Sequence, residues 1–183
     1  MVILASQSPR RKELLGLILE EFAVEVSQAD ETVDWSQGPE QAVEELALRK
    51  ARAVAAHRPG DTVIGADTVV VLDGRVLGKP ADAEDAARML EALSGREHQV
   101  CTGVAVLGPW GERSFVSVTR VVFYPLSRRE IDWYIATGEP FDKAGAYGIQ
   151  EKGCRFVREI HGDYTTVVGL PVAALARLLE QRN

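Results

Sequence analysis

The sequence predicts an α/β fold in which helices flank a mixed sheet. Apolar runs typical of strands alternate along the chain with amphipathic stretches typical of helices. Strand–helix–strand stretches indicate parallel pairs, and strands joined by short turns indicate antiparallel pairs. The chain has 183 residues, of which 46% are hydrophobic, so it is long enough to bury a substantial core. We therefore expect residues 1–183 to form a single domain.

The first third of the chain predicts two strands and two helices. The apolar runs "MVILA" and "FAVEV" predict short strands. Ser8 and Pro9 are typical of an N-cap and a first helical position, so we expect a helix from Pro9 to about Leu19. An acidic loop, "SQADETVDWSQGPE", leads to a long helix from about Pro39 to His57.

The middle of the chain contains its most strand-like region, "DTVIGADTVVVLDGRVLGKP". Two apolar runs are joined there across Gly65 and Ala66, and Asp73-Gly74 predicts a hairpin turn. Asp82 then caps an amphipathic helix that Gly95 closes; its apolar face includes Ala86, Met89, Leu90 and Leu93.

The last third begins with two strands, "HQVCTGVAVL" and "SFVSVTRVVFY", joined by the turn "GPWGE". Ser127 and Glu130 form a capping box for the helix "RREIDWYIAT", which ends at Gly138. The remaining elements are the glycine-rich loop "GEPFDKAGAYGIQ", a strand near "RFVREI", the loop "HGDYTTVVGLP" and a final helix from Pro171.

Composition excludes several classes of protein. A net charge of -6 argues against a nucleic-acid partner. Cys101 and Cys154 lie far apart without a C-x-x-C spacing, which excludes a disulfide framework and a thiolate zinc site. No apolar run is long enough to span a membrane, and "MVIL" is too short for a signal sequence. We expect a cytoplasmic protein that binds neither nucleic acid nor membrane.

The start of the first predicted helix carries an unusual cluster of positive charge. Arg10, Arg11 and Lys12 fall in its first turn, where the helix dipole is already positive and acidic residues are favoured. Such crowding is unfavourable for the isolated helix. We therefore expect an anion to lie among these side chains.

Two acidic residues are candidates for chemistry. Asp67 lies inside an apolar strand region, where a carboxylate is either a paired structural group or a catalytic one. Strand alternation places Asp67 and Thr68 on opposite faces, so both reach one ligand only if the chain bends near Gly65. Glu31 in the acidic loop is either a solvated surface acid or the second ligand of a Mg²⁺ site with Asp67.

Two lysines offer further positive charge, and no other standard catalytic motif is present. Lys50 lies on a predicted helix, where lysines are usually exposed, whereas Lys79 is held between a glycine and a proline. The sequence lacks G-x-S-x-G, H-E-x-x-H and Walker motifs. His57, His98 and His161 have no partner at a diagnostic spacing, so we interpret them as surface or core residues.

Seven segments together resemble one family, the Maf-like nucleoside triphosphate pyrophosphatases. They occur in the family's order and span nearly the whole chain: "LASQSPRRKELL", "ADETVD", "LALRKA", "GADTVVVLDGRVLGKP", "LSGREHQVCTGVAV", "DKAGAYGIQ" and "GDYTTVVGLP". The resemblance implies two lobes around a central nucleotide-binding cleft, as in inosine triphosphatase-like folds. It also implies hydrolysis of a nucleoside triphosphate to the monophosphate and pyrophosphate.

The resemblance implies specific roles as well. Asp67 would be the proton acceptor and, with Glu31, a ligand of a divalent metal, Mg²⁺ or Mn²⁺. Asp67, Glu31 and Lys79 are the catalytic candidates. The substrate-binding candidates are Ser6, Arg10, Arg11, Lys50, Thr68 and Gln150. The anion expected at the first helix would then be the triphosphate.

The same resemblance indicates dTTP and UTP as substrates. Arg10, Thr68 and Gln150 match the positions that mark this branch of the family. A glutamine amide offers one donor and one acceptor, which suits the N3–H and carbonyl of uracil or thymine. The family also forms homodimers. The alternative function is a nucleotide-binding regulator of cell division or septum formation with little turnover.

Overall fold

Seven strands form one mixed sheet in the computed structural model, which describes residues 1–181. The strands are β1 (Val2–Leu4), β2 (Ala23–Val24), β3 (Thr62–Leu72), β4 (Arg75–Leu77), β5 (Glu97–Gly108), β6 (Gly111–Phe123) and β7 (Val157–His161). Their order is β2-β1-β3-β5-β6-β7, with β4 paired to β3. β1 is parallel to β2 and β3, whereas β4 is antiparallel to β3 and β7 to β6. The predicted α/β fold with a mixed sheet is confirmed.

Five of the six helices in residues 1–181 begin within one residue of the predicted starts. Their bounds are α1 (Pro9–Leu15), α2 (Pro39–Ala55), α3 (Ala83–Leu93), α4 (Arg128–Ala136), α5 (Tyr164–Val168) and α6 (Val172–Glu180). The Ser8 hydroxyl caps α1, the Asp82 carboxylate caps α3, and the Ser127–Glu130 capping box opens α4. Among residues 1–181, no helix combines the length and apolar character needed to cross a bilayer.

The structure corrects the sequence prediction at three places. α1 ends at Leu15 rather than near Leu19, because Leu17 is 72% exposed and adds nothing to the buried face. β3 is one strand through Gly65, where the sequence predicts two joined runs. Third, three predicted loops contain short helices. The acidic loop contains the 3₁₀ segment Trp35–Gln37, the glycine-rich loop contains Glu139–Asp142 and Ala144–Ala146, and the loop after β7 contains α5. A further 3₁₀ segment, Lys152–Phe156, lies just beyond the glycine-rich loop.

The chain divides into two compact units, neither of which is a continuous segment. The first unit comprises Met1–Thr68, Thr102–Ser117 and the chain from Gly169 onward. The second comprises Val69–Cys101 and Val118–Val168. β3, β5 and β6 each contribute residues to both units, so the chain passes between the units within strands.

Each unit has its own core. In the first, α2 packs on the sheet through small and branched residues, among them Ala47, Ala51, Val54, Val63 and Ala105. In the second, the rings of Phe123 and Tyr147 pack edge to face, as do those of Tyr134 and Phe156, and a tilted contact between Phe123 and Phe156 joins the two pairs. Buried His98 joins this cluster through Phe123 and Tyr147.

Candidate active site

Asp67, Lys50 and Glu31 form an ion-pair cluster in the first unit. The Lys50 ammonium lies 2.5 Å from Asp67 Oδ1 and 3.0 Å from Glu31 Oε1. Only 12% of the Lys50 side chain and 17% of the Asp67 side chain are exposed, against 70% for Glu31. The Lys50–Asp67 pair is therefore largely shielded from water, and Glu31 is the solvent-facing member of the cluster.

Two glycines bring α2 close enough to the sheet for Lys50 to reach Asp67. A Cβ on Gly65 of β3 would lie 2.3 Å from the Ala47 carbonyl oxygen, and one on Gly103 of β5 would lie 2.4 Å from the Val43 carbonyl oxygen. The helix backbone thus lies directly on both strands. Lys50 follows Ala47 by one helical turn, on the same face of α2. The sequence indicates only that Gly65 permits a bend, whereas in the structure this glycine allows the close approach of α2.

Arg11 connects three distant parts of the first unit. Its Nε donates to the Gly169 carbonyl at 2.9 Å and its Nη2 to the Thr68 hydroxyl at 3.0 Å. A third, longer bond of 3.4 Å runs from Nη1 to the Ser6 hydroxyl. The Thr68 hydroxyl also lies 2.9 Å from that of Thr102. The guanidinium is therefore held in one orientation by neutral oxygen atoms.

Burial is the main influence on the charge of Arg11. It lowers the pKa of the guanidinium, an effect that the nearby carboxylates of Asp67 and Glu31 oppose and the charge of Arg10 reinforces. The carboxylates thus partly offset the positive charge at the start of α1 within the protein. The sequence alone predicts only a bound anion as the partner of these positive charges. Arg10 is half-buried, and Lys12 is exposed.

The two remaining candidates, Lys79 and Gln150, belong to the second unit. Lys79 is exposed and follows β4 by two residues, and Gln150 is exposed at the end of the glycine-rich loop. Their segments are connected, because the Gly145 N–H donates to the Gly78 carbonyl at 3.1 Å. The structure thus joins Lys50, Asp67 and Glu31 in one network, and Arg11, Ser6 and Thr68 in another.

Two residues that the sequence does not single out complete the Arg11 network. Thr102 is fully buried in β5, and its hydroxyl contacts Thr68. A polar residue inside the apolar run "VCTGVAVL" is the signal that indicates it. Gly169 contributes only its carbonyl oxygen, so its residue type carries no such signal.

Glu31 and Asp67 are suited to hold a divalent metal. An oxygen of each contacts the same ammonium, which shows that the two carboxylates converge on one cation. Within residues 1–181, no group of three or more His, Cys, Asp or Glu side chains is placed to hold a metal. Mg²⁺ commonly uses one or two carboxylates together with phosphate oxygens and water, so this pair fits it.

Comparison with known proteins identifies similar sequences along the entire chain. A family model described as "Maf-like protein" matches residues 1–182. A dTTP/UTP pyrophosphatase of a Geobacillus species is 56% identical over 176 residues, which cover 96% of this chain and 95% of the relative. A dTTP/UTP pyrophosphatase of Symbiobacterium thermophilum is 53% identical over 180 residues, covering 98% and 93%.

Solved structures support the fold at much lower sequence identity. The Ham1 protein of Staphylococcus aureus matches with a TM-score of 0.59 and 18% identity, covering 100% of this chain and 99% of the other. A Ham1 protein of Coxiella burnetii matches with a TM-score of 0.54 and 17% identity, and 98% of each chain is covered. At this identity the similarity concerns the fold alone.

Proposed function

Because the chain belongs to the Maf-like protein family, we propose that it hydrolyses dTTP and UTP to the nucleoside monophosphate and pyrophosphate. The substrates follow from the names of the relatives, two of which share more than half of their aligned residues with this chain. One structural observation carries the reaction class. Two carboxylates, Asp67 and Glu31, converge on one cation beside the half-buried side chain of Arg11.

In this proposal Asp67 accepts a proton from the attacking water. The water oxygen forms a bond to the α-phosphorus, the bond between that phosphorus and the bridging oxygen breaks, and pyrophosphate leaves. The Asp67 side chain is largely shielded from bulk water, which strengthens its electrostatic interactions with the reacting groups. Its second carboxylate oxygen remains to accept the proton while Oδ1 contacts Lys50.

Glu31 and Asp67 would together hold Mg²⁺ or Mn²⁺. When bound, the metal supplies positive charge that neutralises charge developing on the phosphate oxygens. Lys50 contacts both carboxylates, so it also keeps the two acids close together before substrate binds.

Cationic and hydroxyl side chains bind the triphosphate in this proposal. Arg10, Lys50 and Lys79 provide charge for the phosphate oxygens, and Arg11 provides a guanidinium already oriented by three hydrogen bonds. The hydroxyls of Ser6 and Thr68 accept hydrogen bonds from Arg11. In this proposal the two residues therefore orient Arg11 and also bind the triphosphate directly.

Gln150 reads the base. Its amide pairs one donor and one acceptor with the carbonyl and N3–H of uracil or thymine, whereas cytosine presents the reverse pattern at N3 and C4 and pairs only with an amide turned by about 180°. Thymine adds only a methyl group, whose rejection is worth about 1–3 kcal/mol, so both dTTP and UTP are accepted.

The location in the cell and the oligomeric state form part of the same proposal. Neither Cys101 nor Cys154 forms a disulfide within residues 1–181, and Cys154 is exposed, which suits a reducing cytoplasm. The homodimer implied by the family resemblance is tested by light scattering coupled to size-exclusion chromatography.

A nucleotide panel tests the reaction. Purified protein with Mg²⁺ is incubated with dTTP, UTP, CTP and ATP, and the products are separated and quantified. We expect dTMP or UMP with pyrophosphate, fast turnover for dTTP and UTP, and complete loss of turnover on chelation. Orthophosphate and a diphosphate as primary products would contradict the proposal. Tight nucleotide binding without turnover would instead favour the regulatory alternative.

A further inference from the structure

Lys143 is a buried lysine of the glycine-rich loop to which the proposed reaction assigns no role. Only 7% of its side chain is exposed. Its ammonium donates to the Glu139 carbonyl and to Asp142 Oδ1, both at 2.9 Å, and lies 3.9 Å from Glu151 Oε2. A buried ammonium is unfavourable unless such partners satisfy it, and an apolar residue of similar size avoids this cost. The loop therefore keeps a charge that the stability of the core does not require.

The loop wraps around the lysine side chain. A Cβ on Gly148 would lie 2.5 Å from Lys143 Cε, so the backbone at Gly148 packs directly on the aliphatic stem. The Gly148 N–H donates to the Tyr134 hydroxyl at 3.0 Å. Gln150 follows Gly148 by two residues, and Glu151, on its other side, faces the ammonium. Lys143 thus contacts the chain on both sides of Gln150.

The backbone of the loop adopts a conformation that needs this support. Gly145 and Ala146 have φ angles of 69° and 62°, and the second of these is unfavourable for a residue with a side chain. Gly145 also packs on Val70, where a Cβ would lie 2.8 Å from Cγ2, and donates to the Gly78 carbonyl. The loop therefore fixes the segment that precedes Lys79 as well.

We infer that Lys143 is a positioning residue for base selection, which holds the loop in the one conformation that presents Gln150. This inference rests on the proposed function, because it gives Gln150 the role of reading the base. Lys143 itself contacts neither base nor phosphate in this view. Its ammonium instead ties the start of the loop to the residue that follows Gln150.

The test replaces Lys143 by methionine, which keeps an unbranched stem against Gly148 and removes the charge. The variant should fold, because the two carboxylates that lose the ammonium, Asp142 and Glu151, are exposed to water. We expect KM for dTTP to rise about tenfold while kcat changes less than about threefold, and the preference for dTTP over dCTP in kcat/KM to fall about tenfold. Lys152→Met, at an exposed lysine just beyond the loop, is the matched control and should retain wild-type values.

A merely structural role predicts a different pattern. Kinetic constants of Lys143→Met equal to those of Lys152→Met, or an equal loss with every nucleotide, would overturn the inference. Asp142→Asn removes the negative charge of one exposed partner of the ammonium without disturbing the buried stem, so it should show the same loss of selectivity to a smaller degree.

Amide hydrogen exchange separates this inference from the proposed function. If Lys143 holds the loop, exchange at residues 144–150 rises in Lys143→Met and remains unchanged in Lys152→Met, whatever the reaction is. Unchanged exchange would contradict the positioning role. A wild-type protein that releases no pyrophosphate from dTTP would instead contradict the proposed function, with the exchange result still standing.

Discussion

Asp67 is the residue on which the proposed reaction depends most. Asp67→Asn keeps the size of the side chain and removes the charge that holds a metal or accepts a proton, so we expect turnover to fall by about 10² or more. The fold should survive, because Lys50 retains Glu31 at 3.0 Å as a partner. Turnover and dTTP affinity measured on one sample, with circular dichroism for the fold, check the prediction.

Glu40→Gln, at an exposed acid on α2, provides the control for Asp67→Asn and should leave turnover unchanged. If Asp67→Asn folds and turns over within a few-fold of wild type, Asp67 is a structural partner of Lys50. Glu31 then becomes the candidate base.

Gln150 offers a second test at the scale of one side chain. Gln150→Leu leaves the polar edge of the base without a partner, which should lower kcat/KM for dTTP by the equivalent of about 1–3 kcal/mol. CTP and ATP should lose less, because their edges pair only with an amide turned by about 180° from the orientation that suits thymine. Steady-state kinetics with all three nucleotides check this, and equal losses across the three would indicate that Gln150 is structural.

At the scale of residues, the sequence singles out candidate side chains but does not predict what they contact. Asp67, Lys50 and Glu31 are identified by motif, yet their shared contact depends on three separate elements and has no local signature. Arg11 illustrates the same limit. Its charge is evident in the sequence, whereas its acceptor at Gly169 is a backbone atom 158 residues away.

Among the elements, the contact between α2 and β3 sets the geometry of the ion-pair cluster. Gly65→Ala would place a Cβ 2.3 Å from the Ala47 carbonyl, so α2 must shift away from the sheet. We expect a loss of stability of about 1–3 kcal/mol or more, because backbone atoms cannot move aside as a flexible side chain can. The same shift would draw Lys50 away from Asp67 and lower turnover. Urea unfolding and the dTTP assay measure the two effects.

Gly78→Ala is the matched control, because a Cβ at Gly78 would meet nothing within 4 Å. It should change the free energy of unfolding much less than Gly65→Ala does. Equal destabilisation by the two substitutions would mean that the close approach of α2 does not limit stability.

Helix starts that are marked by capping residues are predictable from the sequence. Capping residues mark the starts of α1, α3 and α4 at Ser8, Asp82 and Ser127. The end of α1 is not predictable in the same way, because it depends on whether Leu17 finds a buried surface. The continuity of β3 through Gly65 likewise depends on α2 filling the space above that glycine.

For the whole molecule, buried His98 predicts a pH dependence of stability. Burial lowers its pKa to about 4, from an ordinary value of 6.5. Between these values the unfolded chain binds a proton that the folded protein does not, so stability is full above pH 6.5 and declines as the pH falls toward 4. The loss from this group amounts to about 3 kcal/mol. Urea midpoints measured from pH 4 to 8 should follow this decline.

His98→Asn removes the titrating group and should flatten the decline, although it lowers stability at neutral pH by altering the contact with Tyr147. His161→Asn, at an exposed histidine, should keep the wild-type slope. A slope that is the same in all three proteins would mean that carboxylates account for the acid sensitivity.

The interleaving of the two units has a consequence for synthesis on the ribosome. Thr68, Thr102 and Gly169 each stand where the chain enters or leaves the first unit, and the Arg11 network connects all three. A nascent chain that stops short of residue 169 lacks the acceptor for Arg11 Nε. The second unit is then fully translated, but the network around Arg11 cannot form completely until Gly169 has also been synthesised. A chain released early should therefore be unable to complete the arrangement that orients this arginine.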